Sequence, residues 1–565
     1  MTTHPDGPNQ QRRRRQAHQD DLAEFANGKQ SRPDALATSL ESISVQPRTP
    51  KTPRDRQWGE DGSMDEVELS LLNKGEPRED GADAKDVKRP MSARDRRAII
   101  LLIILYLIQG FPLGSSVTQH STGSLPFLLR EHLSYSQLAT FSLTTYPYSL
   151  KLFWSPIVDA IYTPALGRRK SWIIPMQLLV GSIMAILSFY ADQMMQSPAE
   201  YINVLTAAFT TLVLLSATQD IAVDGWALTL LSEDNLSYAS TCQTIGLNTG
   251  YLMSYTVFLA LNGQAFAEKW GIPRLELSTY LVFCSIISFG TTVWLLFEKE
   301  DEDEDVGMSI KSVYKTMWSI CSLKHVRTLL IVHLFAKIAF QAHDAVTSLK
   351  MVEKGLGRED LAVAVLIEFP FSILGGWLAG LWSRGDRPLD AWIKSYWPRL
   401  ALTLASTLTV YWFPKPPIST AFFVLIIVET VASSFASTIQ FGGMAAFHTR
   451  VSDPVVGGTY MTLFATFSNL GGTWPKYFVL KGVDFFSVAT CQIGDDLVVQ
   501  AAECVSEHGK AACTELGGQC VTERDGYYTV SAVCLGLGVL SVVFYMIPTA
   551  RKLQAVPPSR WRVFS

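Results

Sequence analysis

Two aspartates stand in an apolar run where water should be scarce. The segment Ala217-Thr-Gln-Asp220-Ile-Ala-Val-Asp224-Gly-Trp226 places Asp220 and Asp224 four residues apart, on one face of a helix. Carboxylates this close repel in a low dielectric, so either one holds a proton or both face basic partners or water. A second constellation, His333, Lys337, Gln341 and Asp344, is spaced four, four and three and makes one polar stripe on a helix. Lys151, in Tyr148-Ser-Leu-Lys151-Leu-Phe-Trp154, and Glu368 add single charges to apolar runs. Gln109-Gly-Phe-Pro-Leu-Gly114 adds an amide, and its Gly and Pro are expected to break helix geometry locally. Each buried charge costs about 2.5–3.5 kcal/mol on insertion scales and so needs a reason. Together they point to a polar path through a helical bundle, with the carboxylates pairing to a cavity lysine or carrying a proton. Any single one of these side chains would equally serve by pairing with another to hold the bundle together, whereas the set as a whole favours the path. No His-rich metal spacing, nucleophile–base motif or GxxxxGK loop accompanies them. No cofactor or metal is therefore expected, and an ATP-driven pump is disfavoured. A membrane acyltransferase would need a His or Ser/Cys constellation at a membrane face. His343-Asp344 is the adjacent His–acid pair within a span, and no nucleophile is evident beside it.

The elements that must position these residues are hydrophobic segments. Of 565 residues, 48% are hydrophobic and 18% charged, with mean hydropathy +0.16. The charged fraction is below the roughly 25% of soluble domains. From Ala98 onward, apolar runs of about 20 residues recur, each long enough to cross a bilayer as a helix. Spans are expected at 98–117, 134–162, 171–191, 201–231, 238–262 and 277–297, then at 326–349, 361–382, 397–413, 421–447, 457–480 and 527–547. The reading is an all-α membrane protein with about twelve transmembrane helices in two six-helix halves, 98–297 and 326–547. An acidic cytoplasmic linker, 298–325, joins them. The polar tail 1–97 reads as disordered, and its Arg12, Arg13, Arg14 and Arg15 are either solvated or drawn to an anionic membrane surface. No apolar run precedes Ile99, so the first span is expected to act as the insertion signal.

Basic residues near span ends set the orientation. Arg168, Arg169, Lys170, Arg384, Arg387, Lys394, Arg399 and Arg450 fall in loops assigned to the cytoplasm, with the C-terminal tail 548–565. The opposite loops hold Arg130, Lys269, Arg274, Lys354, Arg358 and Lys415, so both termini are expected in the cytoplasm. The triplet Asn235-Leu236-Ser237 then falls on the cytoplasmic side and is expected to be unmodified. Asp159 with Gly167, Arg168 and Arg169 is echoed by Gly376 to Gly380 with Arg384 to Arg387, a weak internal repeat of the kind transporters show. Asp159, Arg168 and Arg169 suit a gating loop that latches and releases the halves, and equally suit positive-inside anchoring. Between the last two spans, loop 481–526 holds Cys491, Cys504, Cys513 and Cys520 on the non-cytoplasmic side. No CxxC pair is present, so two disulfides are expected rather than zinc, with three connectivities open.

Several long strings carry a resemblance. They are Gln109 to Gly114, Ser149 to Trp154, Gly167 to Trp172, Ala217 to Thr229 and Tyr238 to Cys242. In the second half they are Ala336 to Ile338, Asp344 to Thr347, Val451 to Pro454, Gly457 to Thr462, Ser468 to Gly472, Trp474-Pro475 and Leu516 to Cys520. In order and spacing these resemble the acetyl-coenzyme A transporters of the endoplasmic reticulum, within the major facilitator superfamily, with bacterial muropeptide permeases as more distant relatives. The resemblance implies a secondary transporter carrying acetyl-CoA into the lumen by alternating access, as proton symport or exchange. It implies a multi-pass protein of the endoplasmic reticulum membrane, with acetyl-CoA and the lipid bilayer as partners and no nucleic acid. For so polyanionic a cargo, Lys151 and Lys337 would contact phosphates, and Trp226, Tyr251 or Trp474 the base or arm. Gln109 and Asn469 complete the expected substrate-binding set, and Asp220, Asp224, Asp344 and Glu368 would pair with cations or carry a proton. Another CoA thioester, glutathione disulfide or a muropeptide-like solute is the alternative cargo. A receptor that binds without translocating is a further one.

Overall fold

Hydrocarbon offers a backbone no hydrogen-bond partner, so each crossing segment must close its own ladder, and this chain does so with helices. A computed structural model describes residues 92–563 except 117–122, 131, 233–234, 236–237, 301–309, 384–386, 453–456, 494–496, 500–501 and 506. The arginine run at 12–15, most of the acidic stretch at 298–305, the end of the Asn235 triplet and residues 384–386 lie outside the described residues.

The first half contains α1 (Ala93–Ser116), then a broken segment of α2 (Tyr135–Ser142), α3 (Tyr146–Leu150) and α4 (Ser155–Ala160). It continues with α5 (Lys170–Gln196), α6 (Pro198–Leu230), α7 (Tyr238–Leu252), a π turn into α8 (Phe258–Asn262), and α9 (Leu277–Phe297). α10 (Ile310–Ser322) precedes the second half. There α11 (Lys324–Ala336) passes through a 3-10 and a π turn into α12 (Ser348–Glu353). α13 (Arg358–Trp382), α14 (Leu389–Tyr411), α15 (Thr420–Val451) and α16 (Gly457–Phe486) follow. Among the described residues, six helices are long and apolar enough to cross a membrane on their own: Ala93–Ser115, Lys170–Gln196, Pro198–Ala227, Leu277–Phe297, Thr420–Val451 and Gly526–Gln554. Ile310–Ser322 and Lys324–Phe340, bent by 84°, pass the same test together. Phe189, Phe297 and Phe485 are 84%, 80% and 81% exposed, a placement that suits hydrocarbon surroundings.

Each half packs its first helix on its fifth, α1 on α7 and α11 on α16. Glycine makes both crossings close. A Cβ on Gly110 would lie 2.7 Å from the Gly250 Cα, and one on Gly471 would lie 2.9 Å from the His333 carbonyl carbon. Small residues let helix backbones approach where lipid gives no hydrophobic drive. The break expected at Gln109–Gly114 does not occur, because α1 runs unbroken through Pro112. Its glycines serve the crossing instead.

The cysteine loop forms a three-stranded antiparallel sheet ordered β2-β1-β3, from β1 (Val488–Ile493), β2 (Leu497–Val499) and β3 (Gln519–Arg524). α17 (Glu507–Glu515) packs against it, and α18 (Gly526–Ser541) and α19 (Ile547–Gln554) follow. Cys491 is bonded to Cys513 and Cys504 to Cys520. Cys491 and Cys520 face each other across β1 and β3, yet each bonds outward, to α17 and to the 3-10 turn Ala502–Val505. The central strand β1 and the edge strand β3 are thereby each stapled to a neighbouring helical segment. With all four sulfurs in disulfides, no thiolate is left for zinc.

At this same end the two halves are tied together. Arg130 reaches Glu353 at 2.8 Å, Tyr135 donates to the same carboxylate at 3.0 Å, and Lys350 bridges Glu353 and Asp525 at 2.9 and 2.7 Å. The Ser136 N–H donates to Asp484 at 2.5 Å. At the opposite end Glu300 accepts from the backbone N–H groups of Arg169 and Lys170 at 2.6 and 3.0 Å, capping α5. The Tyr314 hydroxyl of α10 donates to the Phe153 carbonyl. Trp561, fully buried, lies against Phe447 and His325, and Tyr460 donates to its carbonyl at 2.6 Å.

Burial pushes the Glu353 carboxyl up, but the Arg130 and Lys350 charges outweigh it and hold the group down at about 2. A carboxylate depressed in this way adds stability that is full above its unfolded value and lost as pH falls towards 2. Thermal unfolding of Glu353→Gln should therefore show a deficit of about 1 kcal/mol, modest because the carboxylate is partly screened. That deficit should be constant from pH 7.5 to 5 and should close only in strong acid. Closure near pH 6 would contradict the ion-pair account. Alkylation of the denatured, unreduced protein should label four of the eight cysteines, and reduction should expose all eight.

Candidate functional site

Asp220 and Asp224, one turn apart on α6, both face Lys151. The lysine begins the 3-10 turn Lys151–Phe153 between α3 and α4, each of which carries a proline in its first turn. Proline is tolerated there because the missing N–H would have had no helical partner. The Lys151 ammonium donates to Asp220 and lies 3.6 Å from Asp224. Tyr148 donates to Asp220 at 3.2 Å, and Tyr106 and Gln243 donate to Asp224 at 2.8 Å each. The Asp220 side chain is fully buried, whereas that of Asp224 is 39% exposed. One cation thus serves two carboxylates, one sealed and one open, and the cluster carries a surplus negative charge when both are ionised.

The second half holds a further set of charged side chains. Arg399 of α14 contacts Asp344 at 3.2 Å, donates to Gln440 at 2.6 Å and stacks over Phe340 at 3.9 Å. Lys337 and buried Lys476 both lie within electrostatic range of Asp344. The single stripe expected of His333, Lys337, Gln341 and Asp344 is not kept. The α-helix ends at Ala336, a 3-10 turn spans Ile338–Phe340, and a π turn spans His343–Thr347. Across those changes of winding the side chains take different hydrogen-bond and ion-pair partners. His333 meets His448 of α15 at 2.8 Å, Gln341 is buried, and Asp344 turns to Arg399. His343 pairs with Ser433 at 3.2 Å. Between the clusters, the Ser149 and Thr473 hydroxyls share a hydrogen bond of 2.8 Å across the halves.

The remaining expected residues are scattered. Trp226 is 1% exposed and packs with Leu101, Leu102, Leu105 and Ile173, so it belongs to the apolar core and presents no face to a ligand. Tyr251 and Asn469 are half-buried. Trp474 donates to the Leu334 carbonyl at 2.9 Å and edges Phe335. Gln109 is buried with both amide atoms unpartnered. Glu368 of α13 is half-buried beside Ser434 and within electrostatic range of Tyr255. In the loop before α5, Arg169 binds the Asp159 carboxylate at 2.6 Å and Arg168 the Asp159 carbonyl at 2.9 Å. Gly167 makes that turn possible, since its φ of 93° is left-handed.

Arg399 requires a correction. It was expected among cytoplasmic loop cations, but α14 begins at Leu389 and carries Arg399 inward, 5% exposed. Its neighbours Arg387 and Lys394 suggested a loop, although its run of flanking apolar residues was a signal for the other reading. Lys476 shows no such conflict, since it sits in an expected span beside Pro475. Tyr106, Tyr148 and Gln243 come from three separate segments, and no spacing links them.

The family model described as acetyl-coenzyme A transporter 1 matches residues 98–306, 296–391 and 385–563. An uncharacterized protein of Schizosaccharomyces pombe is 40% identical over 90% of this chain and 96% of its own length. An uncharacterized membrane protein of Saccharomyces cerevisiae is 38% identical over 84% of this chain and 98% of its own. Among solved structures, a bacterial homologue of the human lysosomal transporter Spinster, inward-facing and unoccupied, superposes with a TM-score of 0.53. It is 14% identical and covers 83% of this chain and 100% of its own. The fold is that of the major facilitator superfamily, and the chain belongs to the acetyl-coenzyme A transporter family. It is a multi-pass membrane transporter, not an enzyme.

Removing one partner of a buried ion pair leaves the other charge uncompensated, at about 3–5 kcal/mol. Lys151→Met should therefore lower the unfolding temperature sharply in detergent, and adding Asp220→Asn should recover most of the loss. Equal stability of the single and double variants would show that the pair carries no such energy.

Proposed function

We propose that this member of the family carries acetyl-CoA from the cytosol into the lumen of the endoplasmic reticulum by alternating access, with both termini cytoplasmic. The family match along the membrane region carries the choice of cargo. The ties around Glu353 close the bundle at the cysteine-loop end, and we read this as the state shut towards the lumen. Disulfides in that loop suit an oxidising compartment.

Lys337 is assigned to the phosphates of the cargo, and Trp474, Tyr251, Gln109 and Asn469 to its base or arm. Lys151, assigned to phosphates on sequence grounds, is instead given to coupling, because two carboxylates already compete for its charge. In this scheme partly exposed Asp224 takes up a proton in one state and Asp220 stays with Lys151. Asp344 and Glu368 accompany the cations of the second half. Asp159, Arg168 and Arg169 act as the cytoplasmic gating loop.

Uptake of labelled acetyl-CoA into proteoliposomes of the purified protein tests this directly. Uptake should saturate and should be competed by CoA more strongly than by ATP or glutathione disulfide. Lys337→Ala at normal expression should lower it about tenfold or more, as expected for a lost charged contact. Uptake should respond to an imposed pH gradient, and Asp224→Asn should abolish that response. Preference for glutathione disulfide would change the cargo, and indifference to the gradient would remove the proton from the scheme.

A further inference from the structure

We infer that a phosphatidylethanolamine headgroup docks at the seam between the halves at the cysteine-loop end of the membrane, its phosphate on Lys481 and its ammonium on Asp484. Neither the identity of the cargo nor the coupling scheme bears on this site.

α16 runs to Phe486, and β1 begins at Val488. Lys481 lies five residues before the end of α16, a rise of about 7.5 Å, roughly the depth of one headgroup layer. It thus stands where hydrocarbon gives way to headgroups, just past the span expected at 457–480. Three residues before it and four after it on the helix surface are Phe478 and Phe485, 62% and 81% exposed. That face of α16 looks onto lipid, and Lys481 is an exposed cation in the middle of it. Among the described residues no carboxylate pairs with the lysine. Its ammonium lies 5.2 Å from the centre of the Tyr477 ring, which attracts the charge without neutralising it.

A cavity of about 510 Å³ opens beside the lysine, lined by Ser136, Lys481, Gly482, Asp484 and Phe485. Ser136 belongs to α2 of the first half and the other four to α16 of the second, so the cavity lies across the seam. The halves meet there through the Ser136 N–H, which donates to Asp484. Among the described residues no other donor reaches this half-buried carboxylate. Lys481 and Asp484 are three residues apart, neighbours on the helix surface, yet they do not pair with each other. A cation and an anion are left side by side, each with capacity to spare.

The group that satisfies both carries a phosphate and a hydrogen-bonding ammonium on one short linker. An ethanolamine headgroup has that arrangement, with N–H donors for the carboxylate. A choline headgroup has the same charges but no N–H, and a glycerol headgroup has no cation. The acyl chains of the lipid would lie along Phe478 and Phe485, a contact that a soluble phosphate ester does not gain. A lysine that merely snorkels to the interface would take any anionic headgroup and would have no need of Asp484. Because Ser136 and Asp484 come from different halves, the site is complete only while the halves meet at this end. Occupancy therefore favours the arrangement in which that end is shut.

Native mass spectrometry of the full-length purified protein, delipidated and then titrated with phosphatidylethanolamine, phosphatidylcholine or phosphatidylglycerol, reads the site. Phosphatidylethanolamine should add one tightly held lipid that equal concentrations of the other two, or of soluble glycerophosphoethanolamine, do not displace. Lys481→Gln and Asp484→Asn should each lower its affinity about tenfold or more, and Lys481→Arg should keep most of it. Asp484→Asn retains an oxygen for the Ser136 N–H and Lys481 is exposed, so both variants should fold. Thermal unfolding in phosphatidylcholine nanodiscs gives a second reading. Added phosphatidylethanolamine should raise the unfolding temperature of the unmodified protein more than that of either variant. No bound lipid, equal affinity for all three lipids, or unchanged affinity in both variants would overturn the site. Preference for phosphatidylglycerol, lost in Lys481→Gln but kept in Asp484→Asn, would make Lys481 a snorkelling anchor and overturn it too. Displacement by the soluble ester would likewise refute a membrane lipid as the occupant.

Discussion

Charge in a low-dielectric interior has to be balanced nearby, and the middle of this protein is organised around that demand. Asp220 is fully buried because Lys151 and Tyr148 reach it. Lys151 can reach it because two prolines and a 3-10 turn reshape the segment between α3 and α4. Arg399 enters the second half because Asp344, Gln440 and Phe340 receive it. Each cluster draws residues from several helices, so their balance also fixes how those helices stand. The Ser149–Thr473 hydrogen bond then joins the two halves directly.

The sequence made the helical framework readable because apolar runs of sufficient length admit few other structures in lipid. Asp220, Asp224, Lys151 and Lys337 were legible for the same reason, each being a charge where charge is costly. Their partners were not. The pairing of Lys151 with α6 is a tertiary fact, and nothing in the spacing of residues 148–154 encodes it. The stripe from His333 to Asp344 misled because periodicity assumes uniform winding, and this segment changes winding twice within nine residues. Arg399 misled because nearness to Lys394 resembles a loop when a helix start is placed eight residues too late. Trp226 had the composition of a ligand-stacking residue and the surroundings of a core one. Cysteine spacing left three pairings open, and only the sheet register and its flanks distinguish them.

The two ends of the bundle are secured by different chemistry. At the cysteine-loop end, Arg130, Lys350 and Tyr135 converge on one carboxylate, which stays ionised well below ordinary pH. At the other end a carboxylate caps a helix, with Glu300 accepting the first N–H groups of α5, where the helix dipole favours negative charge. The first arrangement joins the halves, and the second fixes the linker to one of them.

The glycine crossings at Gly110–Gly250 and Gly471–His333 have a mechanical side. Backbones in contact cannot slide without steric cost, so α1 with α7 and α11 with α16 behave as stiff girders. Compliance is left to places where the hydrogen-bond ladder is interrupted, and three of these are the 3-10 turn at Lys151–Phe153, the turns between Lys337 and Thr347, and the π turn at Met253–Val257. Two of those three joints contain or adjoin the charged clusters. Loading a charge at Lys151 or Lys337 therefore acts where the frame is softest, like a weight hung on a hinge rather than on a beam.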